Sequence, residues 1–299
     1  MKLIKPSYEI LDQKPGLEGI YEQIELAGRT CYKSVRKEGT TAKDFVDRMI
    51  KSQHYAMLEH GTVYLKIPHN PFSSIGSPVM KYRYNPYSRV TNDYPTKPND
   101  AYVTTNYRVL VENGWLDDLK YLCEPTEFHE KRVTVRFTTS NGIMREFTRH
   151  RSHSFAVEST RYCNYSKDKF NNEITFIQPY WFTHDCAKKY LNKLIILKCT
   201  PNDNYTPEEN LFLTHLLDVE EKYMGLINLG LKAQEAREVL PLATKCDMVM
   251  TGFVSDWGHF FDLRAKGTTG APHPDVRALA EPLMHEFINR NYLNCHTND

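Results

Sequence analysis

The chain has almost no net charge: 38 Lys and Arg against 37 Asp and Glu leave a formal +1 over 299 residues. No global field therefore draws it to nucleic acid or to an anionic membrane, and any polyanion must be held by a local cluster. Its seven cysteines (Cys31, Cys123, Cys163, Cys186, Cys199, Cys246, Cys295) are scattered, odd in number and never in a C-x-x-C pair. That pattern excludes a disulfide framework and a zinc knuckle, and it leads us to expect reduced thiols in a cytoplasmic protein. No stretch approaches the roughly 20 apolar residues of a membrane span, and the opening MKLIKPSYEI lacks the apolar core of a secretion signal. Internal repeats and low-complexity linkers are absent. Neither G-x-G-x-x-G nor G-x-x-x-x-G-K-S/T occurs, so a dinucleotide would not sit on a Rossmann turn.

What is present is an ordinary globular composition, 40% hydrophobic and 12% aromatic, enough to build a buried core. Two polar stretches, Thr91 to Asn106 and Cys199 to Pro207, are rich in Pro, Asn and Asp and read as loops. Ala42 to Ser52 has helical spacing, with Phe45, Met49 and Ile50 on one side. Thr62 to Ile67 alternates, putting Val63, Leu65 and Ile67 on one face, and Arg132 to Phe137 repeats this with Val133, Val135 and Phe137. Glu173 to Ile177 is a third short strand candidate. Thr206-Pro207-Glu208-Glu209 is a helix start with a cap, a first-turn proline and acids. Pro241 ends the helical pattern that runs through Glu238. Further helices open near Ser255-Asp256 and at His273-Pro274-Asp275, the last along Val276, Leu279, Leu283 and Phe287. The expected fold class is α+β: a short, mostly antiparallel sheet packed with helices, a mainly helical C-terminal third and no Rossmann domain.

The informative segment is Arg145 to Tyr165, REFTRHRSHSFAVESTRYCNY. Four arginines (Arg145, Arg149, Arg151, Arg161) are interleaved with His150, His153, Ser154, Ser159 and Thr160. Arg145 and Arg149 share a face if Gly142 to His150 is helical, a like-charged spacing that an anion between them would relieve. Guanidinium forks match phosphate oxygens in pairs, and hydroxyls complete the shell. The bland reading is a solvated basic face, yet Phe147, Phe155, Ala156 and Val157 interrupt it.

Arg149-His150-Arg151, seven residues and then Ser159 matches the R-H-R-x7-S motif of flavin-dependent thymidylate synthases, and Glu158-Ser159-Thr160-Arg161-Tyr162 is similar to that family's E-x-S-x-R-Y ending. Ala27 to Cys31 resembles an early arginine segment of the family, and His54 to His60 resembles its H-x-S/T-x-x-E-H turn before a strand. Ala236 to Pro241 resembles its A-R-x-x-L-P helix end, and Trp257 to Arg264 its helix ending in Leu-Arg. The resemblance spans most of the chain, as one domain over 1–299 with insertions expected near 91–118 and 184–207.

That resemblance implies an enzyme that methylates dUMP to dTMP with noncovalent FAD, 5,10-methylenetetrahydrofolate and NADPH, in a homotetramer with active sites between subunits. It implies that Arg149, His150 and Arg151 line FAD, with His54, Ala56, Ser255 and His259 nearby. Glu146, Arg149, Glu158, Ser159, Thr160, Arg161 and Arg237 would hold dUMP. Arg264 would face the uracil ring and stabilise its ionised form, making C5 nucleophilic. Cysteine-dependent thymidylate synthases instead add a thiol that follows a proline, and none of the cysteines here does. The chain departs from the family's usual pattern where Ala156-Val157 stands for the Asn-Glu of many members, Ala56 for a hydroxyl residue often seen near the flavin and Glu146 for the Gln of many members, and Phe253 to Ser255 fits the usual flavin-contact segment poorly.

Each residue also has a plainer reading. Arg264 could be a dipole partner at a helix end, with Asp262 as its neutralising neighbour. Trp257, Phe260 and Phe261 read as core, and Cys163 as a small buried hydrophobe. His150 and His153 lack the context of a metal site, so no metal is expected. A nucleic-acid-binding module would use the Arg145 to Arg161 cluster on phosphates with aromatic stacking, but the near-zero net charge and the lack of a basic flank speak against it. A ligand-free scaffold would need its arginines neutralised internally.

Overall fold

A computed structural model describes residues 1–68, 78–92, 100–183 and 205–293. Its centre is a four-stranded antiparallel sheet of β2 (Ser7–Leu11), β6 (Arg132–Ser140), β9 (Lys245–Phe253) and β7 (Ser154–Val157), in that order. A second antiparallel sheet has the order β3 (Thr62–Pro68), β5 (Asp100–Asn106), β4 (Arg89–Asn92). The third sheet pairs β1 (Lys2–Ile4) with β8 (Thr175–Ile177) in parallel.

Each sheet buries its apolar face against helices. Val133, Val135 and Phe137 of β6 pack with α5 (Asn141–Phe147), α8 (Val254–Phe261) and α9 (Pro274–Asn289) around Trp257, Phe260 and Phe287. The indole Nε1 of Trp257 donates to the Val133 carbonyl at 3.1 Å, so the polar end of the largest core side chain is satisfied. Val63, Leu65 and Ile67 are fully buried, as the alternation predicts, beneath α1 (Gly16–Tyr32) and α2 (Ala42–Lys51), with α3 (Val79–Arg83) and α4 (Tyr107–Asn113) on the same core. The third core lies under α6 (Pro207–Asn228). Thr206 opens α6 with a reciprocal capping box to Glu209, and Val276, Leu279, Leu283 and Phe287 line the buried side of α9. Among the described residues no helix is long and apolar enough to cross a membrane.

The α+β, mostly antiparallel expectation holds, with local corrections. Thr91 to Asn106 is not one loop, because Asp100–Asn106 is the middle strand of the second sheet; 93–99 lie outside the described residues. Most of the Cys199 to Pro207 stretch also lies outside them. The helical pattern from Pro207 to Glu238 breaks after Asn228, where Gly230 takes φ +97°, and resumes as the short α7 (Ala233–Ala236) and a 3₁₀ turn over Arg237–Val239. The largely helical C-terminal third contains β9, one of the two longest strands, with eight consecutive buried residues. The helix that would put Arg145 and Arg149 on one face runs only over Asn141–Phe147, so Arg149 lies beyond it.

Two buried histidines wedge between these layers. His60 Nδ1 is 2.8 Å from Thr251 Oγ1. The His153 ring packs edge-on to Trp257 and covers Gly252 so closely that a Cβ there would lie 2.3 Å from the imidazole. Burial pushes both His60 and His153 down to about 3, so each is neutral in the fold.

Two outcomes follow. Gly252→Ala should lower unfolding free energy by about 1–3 kcal/mol through overpacking, read by urea denaturation; a variant as stable as the parent would contradict the fit. The second concerns acid. The unfolded chain protonates these histidines below about 6.5, whereas the folded one does so only near 3. Stability should therefore be full above pH 6.5 and decline as pH falls below it, by up to ~1.4 kcal/mol per pH unit for each histidine. His60→Gln should make that decline shallower. An unchanged slope would remove His60 from the account.

Candidate active site

Arg264 is the most constrained of the expected residues. It leaves α8 in a π-helical turn, Asp262–Lys266, closed by Gly267 at φ +72°. Such turns are rare and re-aim side chains. The wider turn directs the guanidinium across to α5 and the loop after it. There Nε donates to His150 Nε2 at 3.0 Å, one terminal nitrogen to Glu146 Oε2 at 3.0 Å, and the other to the Glu146 carbonyl at 3.0 Å. An arginine can only donate, so His150 Nε2 must carry a lone pair and its proton sits on Nδ1. Burial, reinforced by the Arg264 charge, pushes His150 down to about 4 and keeps it neutral. Among the described residues, three of the five guanidinium N–H groups are spent and two are not. The plainer reading gives Arg264 the neighbouring Asp262 as its carboxylate; Asp262 pairs with Lys266 at 2.9 Å, and the acid on Arg264 is Glu146.

A second assembly lies where β7 ends. Ala156 is buried against Ala27 and Val249, so the family's Asn-Glu pair is replaced here by packing groups. The next residue, Glu158, has its side chain 1% exposed and accepts from Lys245 Nζ at 2.6 Å and the Asp247 amide at 3.1 Å. Lys33, at the left-handed end of α1, joins the group through Asp247 and lies 3.7 Å from Glu158. Two lysines and two carboxylates thus cancel. Burial still pushes Lys33 down to about 8, with Lys245 acting in the same direction. Glu158 Oε1 is buried without a hydrogen-bond partner among the described residues. Nothing in the sequence pattern pointed to Lys33, Lys245 or Asp247, which come together only through the fold.

Above this network opens a cleft of about 680 Å³. Its walls bring together Glu158, Ser159, Thr160 and Arg237, with Arg145 added. Cationic forks and hydroxyls in one cleft are suited to a phosphate. Arg161 sits beside it, its Nε on Gln234 Oε1 at 3.2 Å and its guanidinium over the Tyr162 ring.

The residues expected near a flavin divide between two further hollows. His54 and Ala56 line a mainly apolar groove of about 470 Å³ with Gly28, Tyr32 and Met57. Arg151 lines a cavity of about 320 Å³ with Arg89, Arg108, Arg132 and Phe253. Arg108 belongs to both, so the two adjoin. Arg89 and Arg132 each lie over the Phe253 ring, at 4.5 and 5.5 Å. Arg149 and His259 are exposed, His259 with its ring 6.1 Å from that of His150. Ser255 caps toward Glu130, its hydroxyl donating at 2.5 Å. The chain by itself therefore does not gather all the expected residues into a single cavity.

The chemistry of the thiols is quiet. Burial raises Cys31, Cys123, Cys163 and Cys246, so none is primed as a thiolate. Cys186, Cys199 and Cys295 lie outside the described residues. Among the described residues no cluster of three or more His, Cys, Asp or Glu is placed to hold a metal.

The chain is similar to known proteins of one family. The sequence model of the family described as thymidylate synthase complementing protein matches residues 114–290. The probable flavin-dependent thymidylate synthase of Paramecium bursaria Chlorella virus 1 is 27% identical over 165 residues, covering 54% of this chain and 69% of that protein. The flavin-dependent thymidylate synthase of Haloarcula marismortui is 27% identical over 149 residues, 48% of this chain and 58% of that protein. Among solved structures, the UMP/dUMP methylase PolB from Streptomyces cacaoi bound with 5-Br UMP aligns with a TM-score of 0.43 at 15% identity, covering 97% of this chain and 92% of that one. Thymidylate Synthase X from Helicobacter pylori with FAD and dUMP aligns with a TM-score of 0.39 at 14% identity, over 97% of this chain and 99% of that one. With the family's sequence model matching more than half of its length, this chain belongs to the thymidylate synthase complementing family, the flavin-dependent thymidylate synthases.

Proposed function

We propose that the protein converts dUMP to dTMP by reductive methylation, with 5,10-methylenetetrahydrofolate as one-carbon donor, noncovalently bound FAD and NADPH as reductant. The observation that carries the reading is the Arg264 clamp: a guanidinium held from three sides by His150 and Glu146, with two N–H donors unspent. A planar pair of donors in a partly dry site is what an ionised pyrimidine needs at N3 and O2. Fixing it beforehand means that little reorganisation accompanies the chemistry.

The hollows fit the other components. The apolar groove with His54 and Ala56 adjoins the arginine-lined cavity with Arg151, a pairing suited to a group that joins a flat ring system to a diphosphate. Arg149, Ser255 and His259 are the further residues assigned to this group. When bound, FAD supplies the hydride that completes the new methyl group. Ser159, Thr160 and Arg237 hold the dUMP phosphate, joined by Arg161 at the rim, while Glu158 and Lys245 stiffen the loop that presents them. Arg149, between these regions, serves both. The dispersion of these residues over one subunit supports a homotetramer whose sites are completed between subunits, in the cytoplasm.

The purified protein should be yellow or take up FAD, and should oxidise NADPH faster with dUMP present. A colourless protein indifferent to both ligands but retained on single-stranded DNA would favour the nucleic-acid reading instead. Arg264→Ala should depress single-turnover dTMP formation about 10²–10³-fold at saturating dUMP, with flavin content unchanged. Arg161→Ala and Arg237→Ala should mainly raise the dUMP concentration required, because a phosphate contact exists equally in ground and transition states. Normal single-turnover rates for Arg264→Ala would reduce that arginine to a helix-end partner. Light scattering should give the mass of four chains; an active monomer at micromolar concentration would refute the shared site.

A further inference from the structure

We propose that Glu146 is a catalytic residue of this enzyme: its carboxylate removes the N3 proton of the pyrimidine and hands Arg264 over to the ring anion so formed. This rests on the functional reading above and concerns a position where this chain carries an acid in place of the glutamine that many members of the family have.

The argument starts from charge. An arginine whose task is to face an anion is here already engaged with one, since Glu146 Oε2 lies 3.0 Å from its terminal nitrogen. If Glu146 stayed ionised, a pyrimidine anion forming beside it would meet a like charge, which disfavours ionisation of the ring. One proton transfer removes the conflict. The N3–H bond breaks, its electron pair stays on the ring and is shared out toward C5, and the proton goes to Glu146 Oε1. The site begins with one guanidinium and one carboxylate and ends with one guanidinium and one ring anion beside a neutral carboxyl. Net charge is unchanged, and no group outside the site needs to supply or accept a proton.

The geometry is prepared for this exchange. Glu146 Oε2 is fixed by Arg264, while Oε1 makes no hydrogen bond within the described residues. The side chains of Glu146 and Arg264 are 28% and 17% exposed, enough to meet a ligand without being freely solvated. The second contact, from the guanidinium to the Glu146 carbonyl, involves the backbone and survives protonation of the side chain. Other bases nearby are occupied or distant. His150 Nε2 already accepts from Arg264, burial keeps the ring from charging, and its Nδ1 carries the remaining proton. Asp262 is held by Lys266. His259 stands on the exposed side of α8 with its ring 6.1 Å from His150. A glutamine at 146 could accept a hydrogen bond from N3–H but could not take the proton.

The test uses the flavin-loaded full chain, with Glu146→Gln as the isosteric variant and Glu146→Asp as a shortened acid. Single-turnover dTMP formation at saturating dUMP and pH 7 should fall about 10²–10⁴-fold in Glu146→Gln, the range of a lost general base, while dUMP affinity changes only a few-fold. The variant's rate should then climb with pH as hydroxide replaces the missing base, where the parent's levels off, and Glu146→Asp should recover part of the loss. An independent readout is the ¹⁹F shift of bound 5-fluoro-dUMP, which reports N3 ionisation without turnover. In the parent a fraction of the bound probe should be N3-ionised to a degree that stays level with pH, because the proton remains in the site on Glu146, whereas in Glu146→Gln ionisation should follow pH alone. A Glu146→Gln enzyme as fast as the parent, or faster because Arg264 is freed, would overturn the assignment. A parent protein that neither binds dUMP nor forms dTMP would instead overturn the functional reading.

Discussion

Strand β9 is the constraint on which the rest of the site hangs. Both its edges are paired, to β6 over nine residues and to β7 over four, and eight consecutive side chains from Cys246 to Phe253 are buried. A strand enclosed on both faces and both edges has no alternative register, because a one-residue slip would exchange every side chain between layers. Its first residues, Lys245 and Asp247, therefore arrive at a fixed place beneath Glu158 and the phosphate-suited cleft. Its last, Phe253, feeds directly into α8 and the π-helical turn that carries Arg264. Two ends of one strand thus fix two parts of the candidate site.

The same enclosure explains why β9 escaped the sequence reading. Val63, Leu65 and Ile67 announce themselves by alternation because one side of β3 is less buried, its Lys66 exposed. A strand buried on both faces loses that period and reads as an unpatterned apolar run. Asp100 to Asn106 was hidden differently: its polar neighbours signal a turn, and Thr104, Thr105 and Asn106 are buried by tertiary packing that no local propensity encodes. Helix starts were legible because caps are local; Thr206 and His273 sit where the sequence places them. In the site, the arginines and hydroxyls could be named from the family resemblance, and Ser159, Thr160 and Arg237 do meet in one cleft. The partners that modify them could not. Glu146 and Arg264 are 118 residues apart, and Lys33 and Asp247 are 214 apart, distances over which spacing carries no signal.

The candidate site accordingly combines exposed arginines with partly buried cations matched by acids. Arg145, Arg151 and Arg237 are exposed and line openings. Arg264 and Lys245 are partly buried and matched by acids. A buried charge is tolerated only with a partner and further hydrogen bonds, so the second kind brings its counter-charge into the site. Glu146 and Glu158 are those counter-charges, and each keeps one carboxylate oxygen without a hydrogen bond from the described residues.

The Lys33, Glu158, Lys245 and Asp247 quartet also limits how the chain can change. Its four charges cancel only as a set, so replacing any one strands a buried partner, whereas replacing opposite charges together need not. Substitution at these positions is therefore strongly order-dependent: the effect of a second change should depend on whether the first has been made, with coupling of the size seen between residues in direct contact. Alternative charge arrangements at these four positions are thus separated by a valley in stability that single steps do not cross easily, and the cleft above them inherits that rigidity.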